Sequence, residues 1–450
     1  MSGSAPEANG SCNGAGHAIT DIEKYLSTDG RARQSGSLSK LIFKFTGIPD
    51  VVGFHGGLPT AEAFPFSGIK FSLVDGEQIS LSSDQVKAAQ QYNVKGDGYP
   101  PLQTWAEEAV QKLHAPPADH AVSITTGSNH ALDIVLGLLL DRGDHVLTEE
   151  FTYPHMVDSI TGPRGYQLWG VSYDNHGIIP EAMDQSLKQA AAEKRPLPKV
   201  LYTVPIGQNP ASFCIPAQRR QEIYDVCSRH DLLIVEDDPY WAIQFPAHSD
   251  GELGVHRLGE SFLSMDTDGR VVRLDSFAKM LAPGLRVGWL TAHPELTARF
   301  SYAMHGSCLG PNTFMQVVLH QMLMQWGWEG LDRHCKRIQG IYRRLADTFH
   351  ETAQEELTGL AEWERPEAGM FVWLKFLAGV HDYDDLLNLM LEQKVTAAPG
   401  SICHVEGPQP DVGCPWARIC FAAVTQDQVK TGVQRLAKVL RKYQAAQQTR

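Results

Sequence analysis

The chain has 450 residues, 43% hydrophobic and 20% charged, a composition that fits a globular protein long enough to bury a large core. Its 39 Lys plus Arg against 52 Asp plus Glu leave a net charge of -13 with no basic run, which argues against a nucleic-acid partner. Scattered cysteines without C-x-x-C or zinc-type His spacing, no apolar leader in residues 1–16, and a longest apolar run (Ile134 to Leu140) far below the roughly 20 residues of a membrane span predict a reduced, metal-free, soluble cytoplasmic protein.

Residues 1–36 are polar and glycine-rich and are expected to form a disordered tail. Ser37 to Phe45 places Leu38, Leu41, Ile42 and Phe45 at helical spacing, and Val51 to Pro59 reads as a short strand running into the Gly56-Gly57 turn. Helices are predicted over Ser83–Tyr92 and, after Pro100-Pro101, over Leu102–Leu113. Ala121–Thr125 then reads as a buried strand, Thr126 to His130 as a turn and Ala131–Leu140 as a helix. A strand, a Gly/Ser turn and a helix start in that order present free N–H groups to an anion, although Ser and Asn there are also ordinary helix caps.

The alternation continues with strands at His145–Thr148, Gly165–Val171, Lys199–Val204 and Leu232–Val235, separated by helices over Pro180–Lys194 and Ala217–His230. Such βαβ units predict an α/β fold with a mostly parallel sheet, whose ligands gather at the carboxyl ends of the strands. Beyond residue 290, helices are expected over Leu296–Gly306, Asn312–Trp326 and Gly330–Leu357. Strands at Ala368–Leu374, Thr396–Ala398 and Ala417–Phe421, with helices Asp382–Gln393 and Thr425–Gln447, suggest a smaller α+β domain. The expected division is a tail (1–36), an arm joining the small domain (37–84), a large domain (85–330) and a small C-terminal domain (331–450). No internal repeat, G-x-x-x-x-G-K-[ST] or G-x-G-x-x-G is present.

One lysine stands apart. Lys279 lies in a small-residue loop between apolar runs, and burial there would lower its pKa and make it a nucleophile suited to a Schiff base. A pyridoxal phosphate site needs an amine, an acid for the pyridine nitrogen, a donor to the ring oxygen and phosphate ligands. Lys279, Asp237, Tyr240 with Asn209, and Arg286 with Ser276 and Gly127-Ser128 supply these at strand ends. Singly, Asp237 is a strand-end cap, Tyr240 a packing residue, Asn209 a turn residue before Pro210 and Arg286 a surface charge. The cofactor reading predicts all of them together.

These residues resemble the class I and II aminotransferases of fold type I, above all the branch with kynurenine/2-aminoadipate and fungal aromatic aminotransferases. The likeness is carried by Gly56-Gly57-Leu58-Pro59, Gly98-Tyr99-Pro100-Pro101, Gly127-Ser128-Asn129, Thr152-Tyr153-Pro154, Pro205 to Pro210, Asp237-Asp238-Pro239-Tyr240, Ser276 to Lys279 and Ala417-Arg418-Ile419. It implies a large domain with a mostly parallel seven-stranded sheet and a smaller domain. It also implies that Lys279 is the Schiff-base lysine, Asp237 the pyridine-nitrogen partner, and Tyr240 and Asn209 the ring-oxygen ligands. Tyr153 would stack on the ring beside Asn129, with Ser128, Ser276 and Arg286 on the phosphate. Tyr92 would reach the phosphate of a neighbouring subunit in a homodimer with shared sites. Arg418 would take the substrate α-carboxylate, with Gly57 and Asn209 lining that pocket.

The implied reaction is a ping-pong transfer of an amino group between an aromatic or long-chain L-amino acid and a 2-oxo acid such as 2-oxoglutarate. A β-lyase, a C–C bond-forming enzyme or a biosynthetic-cluster synthase of the same fold is the alternative, and a non-catalytic regulator a remote one. The chain departs from the pattern at Ala278, where relatives carry Ser or Thr, at Asn129, where Gln is common, and at Ser212-Phe213 after Asn209-Pro210-Ala211.

Overall fold

Residues rich in Val, Ile and Leu, with few polar interruptions, form seven strands: β1 (Ala121–Thr125), β2 (His145–Glu149), β3 (Gln167–Val171), β4 (Val200–Thr203), β5 (Leu233–Asp237), β6 (Val271–Ser276) and β7 (Gly288–Ala292). They join in the order β1-β7-β6-β5-β4-β2-β3. β7 runs antiparallel to both neighbours and the other pairings are parallel. Every residue of β4, β5, β6 and β7 is buried, as a sheet covered by helices on both faces requires. The expected mostly parallel α/β sheet is therefore present. The computed structural model describes residues 18–45, 48–50, 54, 57–93, 97–247, 251–380, 383–407 and 413–448.

Side chains alternate across the central strands and feed two separate cores. Ile234 of β5 and Val271 of β6 enter one with Trp105, Phe277 and Trp289. Leu233, Val235, Val272 and Leu274 enter the other with Leu132, Leu136 and Phe300. Helix α1 (Ser128–Leu139) covers this second face, with Leu132, Val135, Leu136 and Leu139 fully buried at helical spacing.

Helix α2 (Thr313–Glu356) leads away from the large sheet, bent at Gly327, whose φ of 56° and ψ of -173° only glycine adopts readily. The two helices expected on either side of this region are both present, separated at Gly327. A second, antiparallel sheet of β8 (Ala361–Glu362), β9 (Phe371–Phe376), β10 (Ala398–Pro399) and β11 (Trp416–Cys420) has the order β8-β9-β11-β10. Val372 and Leu374 of β9 pack with Phe349 of α2 and with Leu436 and Leu440 of helix α3 (Gln426–Gln448) in a third core. The opposite face of β9 and β11 looks back toward the large sheet. Isolated bridges Phe151↔His404 and Gln244↔Ala368 join the two regions.

The expectation of a disordered tail through residue 36 is corrected from residue 18 onward. Ile19, Ile22, Tyr25 and Leu26 are buried against the second core. The Ser27 amide donates to the Leu138 carbonyl at 2.7 Å, and Lys24 pairs with Asp231 at 2.6 Å. These apolar residues are too few and too spaced to stand out among the polar ones in the sequence, yet they suffice to dock a short turn and helix (Ile22–Tyr25, Thr28–Ala32). The strand expected at 51–53 and Gly56 lie outside the described residues, and the strand expected at Thr396–Ala398 is observed as Ala398–Pro399.

Candidate active site

The carboxyl ends of β1, β4, β5 and β6 deliver the predicted polar residues to one place. β5 ends in Asp237, which shares a face with Leu233 and Val235 and is 5% exposed. Its Oδ2 accepts a hydrogen bond from the Tyr202 hydroxyl at 3.0 Å, and its buried Oδ1 has no partner. Burial pushes its pKa up to about 7, opposed by the Tyr202 bond and assisted by Asp275. A buried carboxylate with one open oxygen and no ion pair among the described residues asks for a charged donor. A protonated pyridine nitrogen meets that need.

β6 ends in Ser276, whose Oγ caps the short helix Phe277–Met280 by accepting from the Ala278 amide at 3.1 Å. This helix holds Lys279 half-buried. Burial lowers the ammonium's pKa and nearby Arg286 lowers it further, while Cys420 of β11 acts against them. Arg286 follows in the left-handed region, with φ of 52°, and its guanidinium donates to the Thr126 carbonyl at 3.3 Å and the Pro283 carbonyl at 3.2 Å.

Gly127 begins α1 at φ of +85°, and a Cβ there would stand 2.5 Å from Arg286 Nη2. Only glycine leaves the guanidinium against the helix start. The first free amides of α1, the Ser128 and Ser276 hydroxyls and Arg286 can together hold a phosphate. The buried orphan oxygen of Asp237 and this cradle both fit pyridoxal phosphate.

The remaining predicted residues sort into two groups. Tyr153 is half-buried, its hydroxyl 3.5 Å from Asn129 Oδ1, and its pKa is pushed up to about 12, first by burial and then by Asp237. Tyr240 is buried, and burial followed by the Asp237 charge raises its pKa. Arg418 reaches over from β11 to donate to Asn209 Oδ1 at 2.7 Å, with its guanidinium 4.5 Å from the centre of the Phe371 ring. Phe371 meets Tyr240 edge-on at 6.2 Å between ring centres. Hydrogen bonds and charge interactions thus bring Lys279, Asp237, Tyr240, Tyr153, Asn209, Asn129, Ser128, Ser276, Arg286 and Arg418 close together where the two sheets meet.

Tyr92 and Gly57 do not join them within the chain. Tyr92 is 56% exposed, and Gly57 is exposed with nothing within 4 Å of an added Cβ. Sequence reasoning missed Tyr202, whose signal was a tyrosine in a wholly buried strand, where the hydroxyl must find a partner. It also missed Cys420, two residues beyond Arg418 and so on the same face of β11. Ser212, one of the departures, has φ of 64° and donates from Oγ to the Phe371 carbonyl at 2.6 Å, tying the Asn209 loop to the second sheet.

Comparison with known proteins shows the family. Residues 73–436 match the family model described as aminotransferase class I and II. A kynurenine/alpha-aminoadipate aminotransferase of Bos taurus, named as mitochondrial, is 33% identical over 433 residues, covering 93% of this chain and 98% of the bovine one. The crystal structure of the aminotransferase Aro8 from Candida albicans superposes with a TM-score of 0.87 at 27% identity, covering 95% of this chain and 99% of that one. An alpha-aminoadipate aminotransferase from Thermus thermophilus, solved with N-(5'-phosphopyridoxyl)-L-leucine, gives a TM-score of 0.68 at 26% identity over 93% of this chain and 98% of its own. The chain belongs to the class I and II aminotransferases and is a pyridoxal phosphate-dependent enzyme of fold type I.

Proposed function

We propose that this aminotransferase moves an amino group from an L-amino acid with an aromatic or long side chain to a 2-oxo acid by a ping-pong reaction in a homodimer. The observation that carries this reading is Arg418, held by Asn209 at 2.7 Å over the Phe371 ring, facing the same space as Lys279 and Tyr153. A planar guanidinium so braced can take the substrate α-carboxylate through two parallel hydrogen bonds and place Cα near Lys279. The names of relatives that act on kynurenine, 2-aminoadipate or aromatic amino acids support the side-chain class.

When bound, pyridoxal phosphate supplies the electron sink that makes the substrate Cα–H acidic. Lys279, its pKa lowered by burial and by Arg286, would anchor the cofactor through its amine, and the same amine would serve as base and acid for the substrate's Cα proton. Asp237 would hold a proton on the ring nitrogen through its open Oδ1. Tyr240 and Asn209 would donate to the ring oxygen, and Tyr153 would cover the ring face beside Asn129. Ser128, Ser276 and Arg286 would hold the phosphate, and Gly57 would line the substrate pocket.

The 56% exposure of Tyr92 suits a role across a dimer interface, reaching the phosphate of a second subunit. We assign residues 85–330 to a large and 331–450 to a small domain, with Lys279 and Arg418 on opposite sides of the cleft. A reducing compartment suits the seven described cysteines, all free, and among the described residues no helix is long and apolar enough to cross a membrane. We infer the cytoplasm, with the mitochondrion, named for the bovine relative, as the compartment a localisation experiment would have to exclude.

The test is a donor-by-donor screen of the first half-reaction, following the cofactor absorbance and the 2-oxo acid released. Tryptophan, phenylalanine, kynurenine or 2-aminoadipate should convert the cofactor fastest. Preference for alanine or aspartate by tenfold or more would overturn the substrate class.

A further inference from the structure

Behind the Asn209 loop lies a second cavity, of about 970 Å³, that the transamination chemistry does not use. It opens between the turn at Tyr173 to His176, the loop Ile206 to Ala217 and the segment Glu362 to Glu367. Its volume lies within the range of small-molecule sites, roughly 300–1,000 Å³. Phe151, Tyr173, Phe213, Trp363, Trp373 and Trp416 supply aromatic walls. Trp373 and Trp416 stack with ring centres 5.4 Å apart, and Phe151 meets Trp373 edge-on at 5.3 Å.

Carboxylates outnumber cations around these rings, even though Lys375 lies 5.8 Å from the Trp416 ring centre and pairs with Glu362 at 3.6 Å, and Arg219 pairs with Asp174 at 3.3 Å. Glu150, Asp174, Glu260, Glu362, Glu364 and Glu367 line the cavity against only two arginines, Arg220 and Arg365. Neither arginine is available to an anion. Arg365 is paired with Asp347 at 2.6 Å. Arg220 is buried, donates to the Ile215 and Glu260 carbonyls, and stands in the field of Glu236 and Asp238. Glu362 and Glu364 are exposed at the rim, Glu362 pairing with Lys375 at 3.6 Å and Glu364 accepting from the Asn175 amide at 3.0 Å, with no ion pair at Glu364 among the described residues.

Aromatic faces inside a ring of carboxylates attract a cation that carries apolar surface, and they repel carboxylates such as 2-oxo acids. We propose that this cavity is a binding site for an aromatic organic cation, an arylalkylamine or aryl quaternary ammonium compound. The site shares a wall with the catalytic clamp. Ala211 and Ser212 line the cavity, Ser212 Oγ donates to the Phe371 carbonyl at 2.6 Å, and Asn209 receives Arg418 at 2.7 Å. Trp373 is also the direct cross-strand neighbour of Arg418. An occupant therefore presses on the loop that orients the carboxylate-binding arginine, and changes the KM for the amino donor.

Benzyltrimethylammonium is the probe, because a quaternary nitrogen cannot condense with the cofactor. Titrated into the holoenzyme in a calorimeter, it should bind saturably at one site per chain with the cofactor absorbance unchanged. Tetramethylammonium should bind at least about fivefold more weakly, and phenylacetate should not bind. The rim double variant Glu362→Lys/Glu364→Lys should weaken the probe at least about fivefold while leaving kcat as in the wild type. Asn175→Lys, on the opposite lip, gives the same reading should the double variant misfold. Absence of saturable binding, equal binding of phenylacetate, or unchanged affinity in the rim variants would overturn the site. A donor KM unmoved by saturating probe would overturn its link to Arg418.

Discussion

The two faces of β5 and β6 treat buried charge in opposite ways. On one face Arg273 meets Glu236 and Asp238 at 3.1 Å and Asp275 at 2.9 Å, every side chain at most 5% exposed. Glu236 accepts two further backbone amides, from Phe262 at 2.9 Å and Leu263 at 3.2 Å. Asp238 keeps one oxygen without a hydrogen-bond partner, but its charge is answered by Arg273. On the other face Asp237, one residue away, has a neutral tyrosine hydroxyl and no ion pair among the described residues. The first arrangement is closed and holds the sheet. The second is left open, at a cost in stability, for a charge that arrives from outside.

The largest expected effect follows from removing the reactive amine on the open side. Lys279→Ala should lower kcat about 10³-fold or more, since it deletes both the covalent anchor and the proton carrier. The thermal midpoint should stay within a few degrees of the wild type, because a half-buried lysine without an ion pair among the described residues contributes little to the fold. A variant that still transaminated within tenfold of wild type would remove Lys279 from the mechanism.

Next in size is the direct contrast between the faces. Asp237→Asn should cost about 10²-fold in kcat with a small change in stability, since an uncharged amide cannot hold the ring nitrogen's proton. Arg273→Met should do the reverse, leaving three carboxylates buried without their cation and destabilising the fold by about 3–5 kcal/mol. Denaturant unfolding beside stopped-flow half-reactions separates the two. Equal losses of stability in both variants would mean that the faces do not differ in the way described.

How far these faces were legible in the sequence depended on what each residue had to do. Lys279, Asp237, Tyr240, Asn209 and Arg286 each follow an apolar strand or lie in an apolar stretch, so position and chemistry could be read together. The parallel sheet was legible for the same reason, from β-rich runs separated by helical ones. Ile22, Tyr25 and Leu26 were not, because their burial depends on a groove formed by residues more than a hundred positions away. Tyr202 looked like one more apolar strand residue, and nothing local revealed that its hydroxyl meets Asp237. Tyr92 and Gly57 were named from the family likeness alone. The single chain leaves both facing outward, as expected of groups whose roles would depend on a second subunit or on the segment around Gly56.

A smaller effect concerns pH. Asp237 in the folded, cofactor-free protein has a pKa of about 7 against an ordinary value of 3.8, with burial as the main cause. Between about pH 4 and pH 7 the folded state keeps a proton there that the unfolded chain has released. The contribution of this group is therefore stability that falls as pH rises through that window. Chemical denaturation of the cofactor-free protein at pH 5 and pH 7 should show a loss that Asp237→Asn reduces. An identical pH dependence in the variant would place the titrating group elsewhere, with Glu149 and Asp238, both also raised to about 7 with burial as the main cause, the next to replace.

The smallest expected effect tests whether the open side is complete. Ala278 sits between Ser276 and Lys279 where the family likeness leads one to expect a hydroxyl, and its amide is already committed to Ser276 Oγ at 3.1 Å. Ala278→Ser adds a donor at the rim of the phosphate cradle without altering that cap. One net hydrogen bond contributes about 0.5–1.5 kcal/mol, so the cofactor should dissociate about 2- to 13-fold less readily, measured by spectral titration of the cofactor-free enzyme. Arg273 and the closed face lie across the strand and should register no change in unfolding midpoint. An unchanged affinity would show that Arg286, Ser128, Ser276 and the α1 amides already satisfy the phosphate, leaving the alanine nothing to supply.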